Sequence, residues 1–308
     1  MKILAAGILA FVALTIPEPV AADFEFVEEV FLSPPLPFES FTSVAFDGKE
    51  FLLGRFDGSA VRYDASFNFI ETFTFQAPFS GNLRSIEVDR ENGNLLALSN
   101  STRILTEFTP DLELVHMYSV IQPDLTATAG VVLDPVTNTT WGAGVFTGLV
   151  TQYTREGEIL FDFQTEVFDA FNTIAIDWVN QTILLLDPAP DRIFEYTFDG
   201  EFVGTPFNSA DDDFIGLGSG FPNGMYYDSE TARLYVISSV GDLAVLEDLS
   251  RLELLGDVNC DGIVNLLDVG PFVDALTSSK FVPKADINDD GMVNLLDVVP
   301  FVALLSDS

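Results

Sequence analysis

Cations are scarce in this 308-residue chain: 13 Lys and Arg stand against 48 Asp and Glu, giving a formal charge of −35. A duplex-binding protein needs clustered Lys and Arg to release counterions from phosphates, so nucleic acid is excluded as a partner. The single cysteine, Cys260, rules out an internal disulfide, and the single histidine, His116, rules out a His-rich zinc site. Tryptophan is limited to Trp141 and Trp178, which is thin material for the aromatic platforms of a carbohydrate cleft. Hard-oxygen chemistry is what these absences leave. Apolar residues nevertheless make up 48% of the chain and Phe alone numbers 29, enough to build a core despite the charge. Self-repulsion weakens where salt screens it or bound cations neutralise carboxylates, so a saline or calcium-bearing exterior suits the chain.

Residues 1–22 have the layout of a secretory signal peptide. Lys2 is followed by an apolar run from Ile3 to Ile16, then Pro17, Pro19 and a small-residue end that places cleavage after Ala22. The run is about 14 residues, where a spanning helix needs about 20, and no second run of that length follows. The expected product is secreted, with no membrane span in the mature chain.

A repeat of about 45 residues fills residues 23–250. Short apolar runs end in Asp47, Asp89, Asp134, Asp177 and Asp228, at separations of 42, 45, 43 and 51. A turn, a second apolar run and an alternating third run follow each of them, as in Arg192-Ile193-Phe194-Glu195-Tyr196-Thr197-Phe198. Period-two alternation bounded by Gly, Pro, Asp and Asn signals strands. A fourth strand follows in most units, for example Phe69 to Phe75. The last unit lacks its fourth strand, while Asp23 to Phe31 at the front forms an unattached one, so the two ends are expected to share a blade and close a ring. The repeated Asp residues are expected to cap turns.

Four short strands per unit without intervening helices resemble a β-propeller of the broad class with NHL-like and lactonase-like blades. Five blades are counted, with six as the alternative.

Residues 257–273 and 286–302 match at 13 of 17 positions after a shift of 29. Each copy sets side-chain oxygens at loop positions 1, 3, 5, 9 and 12: Asp257, Asn259, Asp261, Asn265 and Asp268, then Asp286, Asn288, Asp290, Asn294 and Asp297. Backbone carbonyls of Ile263 and Met292 fill position 7, and Gly262 and Gly291 at position 6 permit the bend. Calcium takes six to eight oxygens, which a short loop supplies only by folding back with alternate side chains aimed inward. Two calcium ions are therefore expected. Pro271 and Pro300 are expected to kink or restart the helix after each loop. Leu266-Leu267 and Leu295-Leu296 are expected to contribute to a small core, with any exposed leucines joining Phe272 and Phe301 in a docking patch. Cys260, at outward position 4, reads as a bystander.

The duplicated D-x-N-x-D-G-x-V-N-x-x-D pattern resembles a type I dockerin, making residues 251–308 a small α-helical, EF-hand-like module. That resemblance implies attachment to a cohesin-like or other extracellular protein, in assemblies frequently devoted to polysaccharide breakdown. Leu266-Leu267 and its copy depart from the polar residues that dockerins often carry there.

Two function classes follow: a non-catalytic propeller that binds protein or glycan and is attached through its tail, or an extracellular glycoside hydrolase or lactonase with the same tail. The second would gather carboxylates such as Glu87, Asp187 or Asp211-Asp212-Asp213 around the channel. The sequence singles out no catalytic residue, and His116, in an alternating strand, reads as structural.

Overall fold

The computed structural model describes residues 22, 24–30, 32, 40–122, 127–166, 171–187, 192–208, 222–229, 231–249, 255–259, 263–277, 282–288 and 292–307. Twenty strands form five four-stranded antiparallel sheets, settling the blade number at five. Blade 1 holds β2 (Phe41–Phe46), β3 (Glu50–Arg55), β4 (Ser59–Asp64) and β5 (Phe69–Thr74). Blade 2 holds β6 (Leu83–Asp89), β7 (Asn94–Ser99), β8 (Ile104–Phe108) and β9 (Leu114–Ser119). Blade 3 holds β10 (Thr128–Asp134), β11 (Thr139–Gly144), β12 (Leu149–Tyr153) and β13 (Ile159–Gln164). Blade 4 holds β14 (Thr173–Asp177), β15 (Thr182–Asp187), β16 (Arg192–Thr197) and β17 (Phe202–Asn208).

Blade 5 has the order β1-β20-β19-β18, built from β18 (Pro222–Asp228), β19 (Arg233–Ser238), β20 (Leu243–Asp248) and the N-terminal strand β1 (Phe24–Val30). β1 pairs antiparallel with β20, Phe24 opposite Asp248 and Val30 opposite Leu243. This is the expected shared blade. The inner strands β2, β6, β10, β14 and β18 contact one another in sequence, and β18 returns to β2, so the ring is closed.

Chemistry and position agree strand by strand. Inner and second strands are apolar runs covered on both faces, whereas outer strands such as β9 and β13 are mostly exposed. Among the described residues the propeller core is divided into five clusters, each between consecutive blades. Leu52 and Phe75 meet Leu83 and Phe108 between blades 1 and 2, and Trp141 meets Ile174 and Tyr196 between blades 3 and 4. A buried Leu, Ile or Phe contributes roughly 1.5–3 kcal/mol, so each seam is a substantial hydrophobic bond between sheets. The repeated Asp residues do cap turns: Asp47 Oδ1 accepts the amides of Lys49 and Glu50, and Asp177 Oδ1 accepts those of Val179 and Asn180.

Beyond the propeller, the tail carries two short helices, α1 (Val269–Thr277) and α2 (Val298–Asp307). The helices start later than the sequence suggests, which moves the prolines to their beginnings. α1 begins only at Val269 and α2 only at Val298, so Pro271 and Pro300 fall in first turns, where the amide they lack has no helical acceptor.

Candidate functional site

In the tail, each loop folds back on its position-12 carboxylate. Asp268 Oδ1 accepts the Asn259 amide at 2.9 Å and Oδ2 the Asn265 amide at 2.8 Å. The second copy repeats this: Asp297 accepts from Asn288 at 3.1 Å and from Asn294 at 2.8 Å. The position-9 side chains serve as helix caps, Asn265 Oδ1 accepting the Leu267 amide and Asn294 Oδ1 that of Leu296. Their amide groups turn to the position-7 carbonyls of Ile263 and Met292. Asp257, Asp268, Asp286 and Asp297 are all buried. Asp257 is met by buried Lys284 at 3.3 Å. Among the described residues no three His, Cys, Asp or Glu side chains converge as a metal group, and Asp261 and Asp290, with Cys260, Gly262 and Gly291, lie outside those residues.

The leucines correct the sequence expectation. Leu266 and Leu267 are 79% and 68% exposed, and Leu295 and Leu296 are 80% and 67% exposed, so none of the four is core. Phe272 and Phe301 take that place instead: both are buried, with rings stacked at 3.9 Å and 15°. The capping turn explains the inversion, because Asn265 and Asn294 hold the following Leu-Leu pairs in the bend ahead of each helix and leave the helix face to the phenylalanines.

The propeller channel offers a different environment at each end. At the C-terminal ends of the inner strands lies a cavity of about 50 Å³, lined by Glu87, Arg90, Trp178 and Tyr226 among others. That is room for a few water molecules. Burial pushes the Glu87 carboxyl up to about 7, against the opposing pull of the Val88 amide and Arg90. Arg90 is held by Asp228 at 3.4 Å and by the Tyr226 hydroxyl, and lies over the rings of Phe46 and Tyr226. Glu87 is the one carboxylate among the described lining residues. Asp187 is not brought to it; it ends β15 and pairs with Arg192 at 2.9 Å. Asp211, Asp212 and Asp213 lie outside the described residues. His116 is exposed on β9 with its ring 5.7 Å from that of Tyr118.

The opposite end carries a feature that the linear pattern does not announce. In four blades the inner strand slips register by one residue near its start, between Phe41 and Ser43, Leu83 and Ser85, Thr128 and Gly130, and Pro222 and Gly224. The extra residues are Thr42, Arg84, Ala129 and Asn223, with Asn172 just ahead of β14 in the remaining blade. A bulge bends its strand and re-aims one side chain. Arg84 Nη2 reaches from blade 2 to the Asn172 carbonyl of blade 4 at 2.9 Å, a non-neighbouring blade, and so crosses the channel. Asn172 Nδ2 donates to the Pro222 carbonyl and Asn223 Oδ1, and Asn223 Nδ2 to the Phe41 carbonyl.

No protein-family model and no curated protein matches the chain. Among solved structures it is similar to glutaminyl cyclase from Myxococcus xanthus, at 14% identity and TM-score 0.57 over 75% of this chain and 98% of that one. It also resembles a catalytically inactive virginiamycin B lyase from Staphylococcus aureus with quinupristin, at 13% identity and TM-score 0.45 over 69% and 68%. A streptogramin B lyase matches at 12% identity and TM-score 0.44 over 73% of each chain. At such identities the likeness is one of fold alone.

Proposed function

We propose that this is an exported attachment protein: its duplicated tail holds two calcium ions and presents a doubled leucine face to an extracellular protein partner, with the propeller as cargo. The observation that carries this reading is the matched burial in the two copies. Four ligand-position carboxylates are buried while the intervening Leu-Leu pairs stand 67–80% exposed. Backbone amides turn the position-12 carboxylates inward in both copies, and an apolar pair left so exposed in both marks a surface with a use. The donor set is all oxygen, which fits calcium. Asp257, Asn259 and Asp268 with the Ile263 carbonyl would hold one ion, and Asp286, Asn288 and Asp297 with the Met292 carbonyl the other. Asp261 and Asp290 complete the two sets in sequence. Bound calcium supplies positive charge that neutralises the loop carboxylates. The protein does the rest by folding each loop onto its position-12 carboxylate and capping the helix that follows.

The partner is a different protein in preference to a second copy, since two chains of charge −35 repel each other. A cohesin-like module is the partner that the dockerin resemblance suggests, and export rests on the leader pattern of residues 1–22. The hydrolase alternative needs two carboxylates facing one substrate, and the cavity at Glu87 supplies one.

Calorimetric titration of the full chain with Ca²⁺ tests the proposal. Two ions per chain are expected, with a dissociation constant of roughly 10⁻⁴ to 10⁻³ M typical of extracellular sites. The double variant Asp268→Asn, Asp297→Asn should lose both. Absence of saturable uptake by the parent chain would overturn the reading.

A further inference from the structure

We propose that the bulged end of the propeller channel is a binding site for a monocarboxylate ligand, with Arg84 as its anchor. Of the other described arginines, Arg55, Arg62, Arg90, Arg155, Arg192 and Arg233 each have a carboxylate oxygen within 4 Å. Arg84 has none. Its one hydrogen bond runs from Nη2 to a neutral carbonyl, and its buried Nε has no partner among the described residues. Burial draws its pKa below the usual guanidinium value, and no nearby carboxylate counters that pull. The sequence holds 48 acidic side chains, yet none among the described residues lies within 4 Å of this guanidinium.

The placement of Arg84 is systematic. It occupies the bulge position that recurs near the start of four of the five inner strands, so the same backbone device is repeated at one end of the ring. On blade 1 that position is Thr42, whose buried hydroxyl likewise has no partner among the described residues. On blade 3 it is Ala129, whose small side chain takes little room. Asn172 and Asn223 tie blades 4, 5 and 1 together at this level and hold the carbonyl that orients the guanidinium.

A guanidinium with no carboxylate partner among the described residues, at the bulge next in chain order to one with an orphan hydroxyl, suits a planar oxyanion, because its fork of N–H groups matches two carboxylate oxygens at once. The strongly negative molecule penalises an incoming dianion about twice as much as a monoanion, which favours carboxylate over phosphate. The ligand class is therefore a small molecule or sugar bearing one carboxylate, delivered along the channel axis.

Titration calorimetry of the full chain with glucuronate, with inorganic phosphate as comparator, tests this. One saturable glucuronate site is expected, with phosphate weaker. Arg84→Met should weaken glucuronate binding by roughly tenfold or more, the loss of a charge-assisted hydrogen-bond pair. Should Arg84→Met fail to fold, Arg84→Lys serves: it keeps the charge, loses the planar fork, and is expected to bind measurably more weakly while melting as a cooperative unit. No saturable glucuronate binding, affinity unchanged in the variant that folds, or phosphate binding tighter than glucuronate would each overturn the assignment. The calcium titration is independent of it, since the two sites share no residue.

Discussion

Gly224 lies where the last blade presses against the first, and a side chain built there would place its Cβ 2.4 Å from the Ser43 Cα. Backbone cannot yield as a flexible side chain can, so Gly224→Ala is expected to cost about 1–3 kcal/mol, read as a lower denaturation midpoint. Glu195 makes a second residue-scale prediction. Burial pushes its carboxyl up to about 7, partly offset by bonds from Thr182 and Ala22, with Asp177 and Asp248 adding like charge. The folded protein thus retains a proton that the unfolded chain releases near 4.5. The stabilisation from that proton is complete below pH 4.5 and is lost as the pH rises through 7, a change on the order of 3 kcal/mol. Glu195→Gln should flatten this part of the stability–pH curve, and an unchanged slope in urea titrations between pH 4.5 and 8 would contradict it. The turn-capping Asp residues were legible in sequence because an Asx turn depends on a few neighbouring residues. Arg84 was not, because a bulge is a relation between two strands and leaves no local signature in one of them.

The elements of the tail show both the reach and the limit of pattern reading. The doubled loop and the helix after it are visible as a repeat, since the spacing of Asp and Asn and the capping they provide are local. Which apolar residues face inward was misjudged: a Leu-Leu pair in a capping turn and a Phe one turn into the helix look equally hydrophobic in sequence. Packing chose the phenylalanines, which stack on each other across the two halves. The prolines were misjudged for a related reason, as their effect depends on where the first helical residue falls. Because Leu266 and Leu295 are 79% and 80% exposed, the pair Leu266→Asp, Leu295→Asp is expected to change stability by no more than about 0.5 kcal/mol each and, on the attachment role proposed above, to abolish capture by a cohesin-like module. Differential scanning calorimetry and calcium-dependent pull-down of the partner check the two halves of that statement. A large loss of stability would mean that the leucines support the fold.

At the scale of the whole molecule, the ring and its shared blade were readable because the sequence repeats in phase and its two ends are complementary fragments of one unit. The interblade seams were readable only in kind, since four join neighbouring repeats and the fifth joins Phe41 and Val44 to Ile237 and Leu243 at the other end of the ring, partners that no local pattern names. Removing residues 1–31 takes away β1 and leaves β20 with an unpaired edge. The truncated protein is expected to melt earlier and to self-associate, measured by calorimetry and by light scattering after size exclusion. A monomer with the parent melting point would show that the ring does not depend on its clasp.

The pairing of Phe24 with Asp248 spans 224 positions of chain, 248 less 24. Its loop-closure entropy is met only once the final blade exists, so completion of the circle is a late event in folding. A ribosome or a translocation pore that releases the polypeptide from its amino end therefore delivers the first strand long before its neighbour. In the interval that strand has no β20 to pair with.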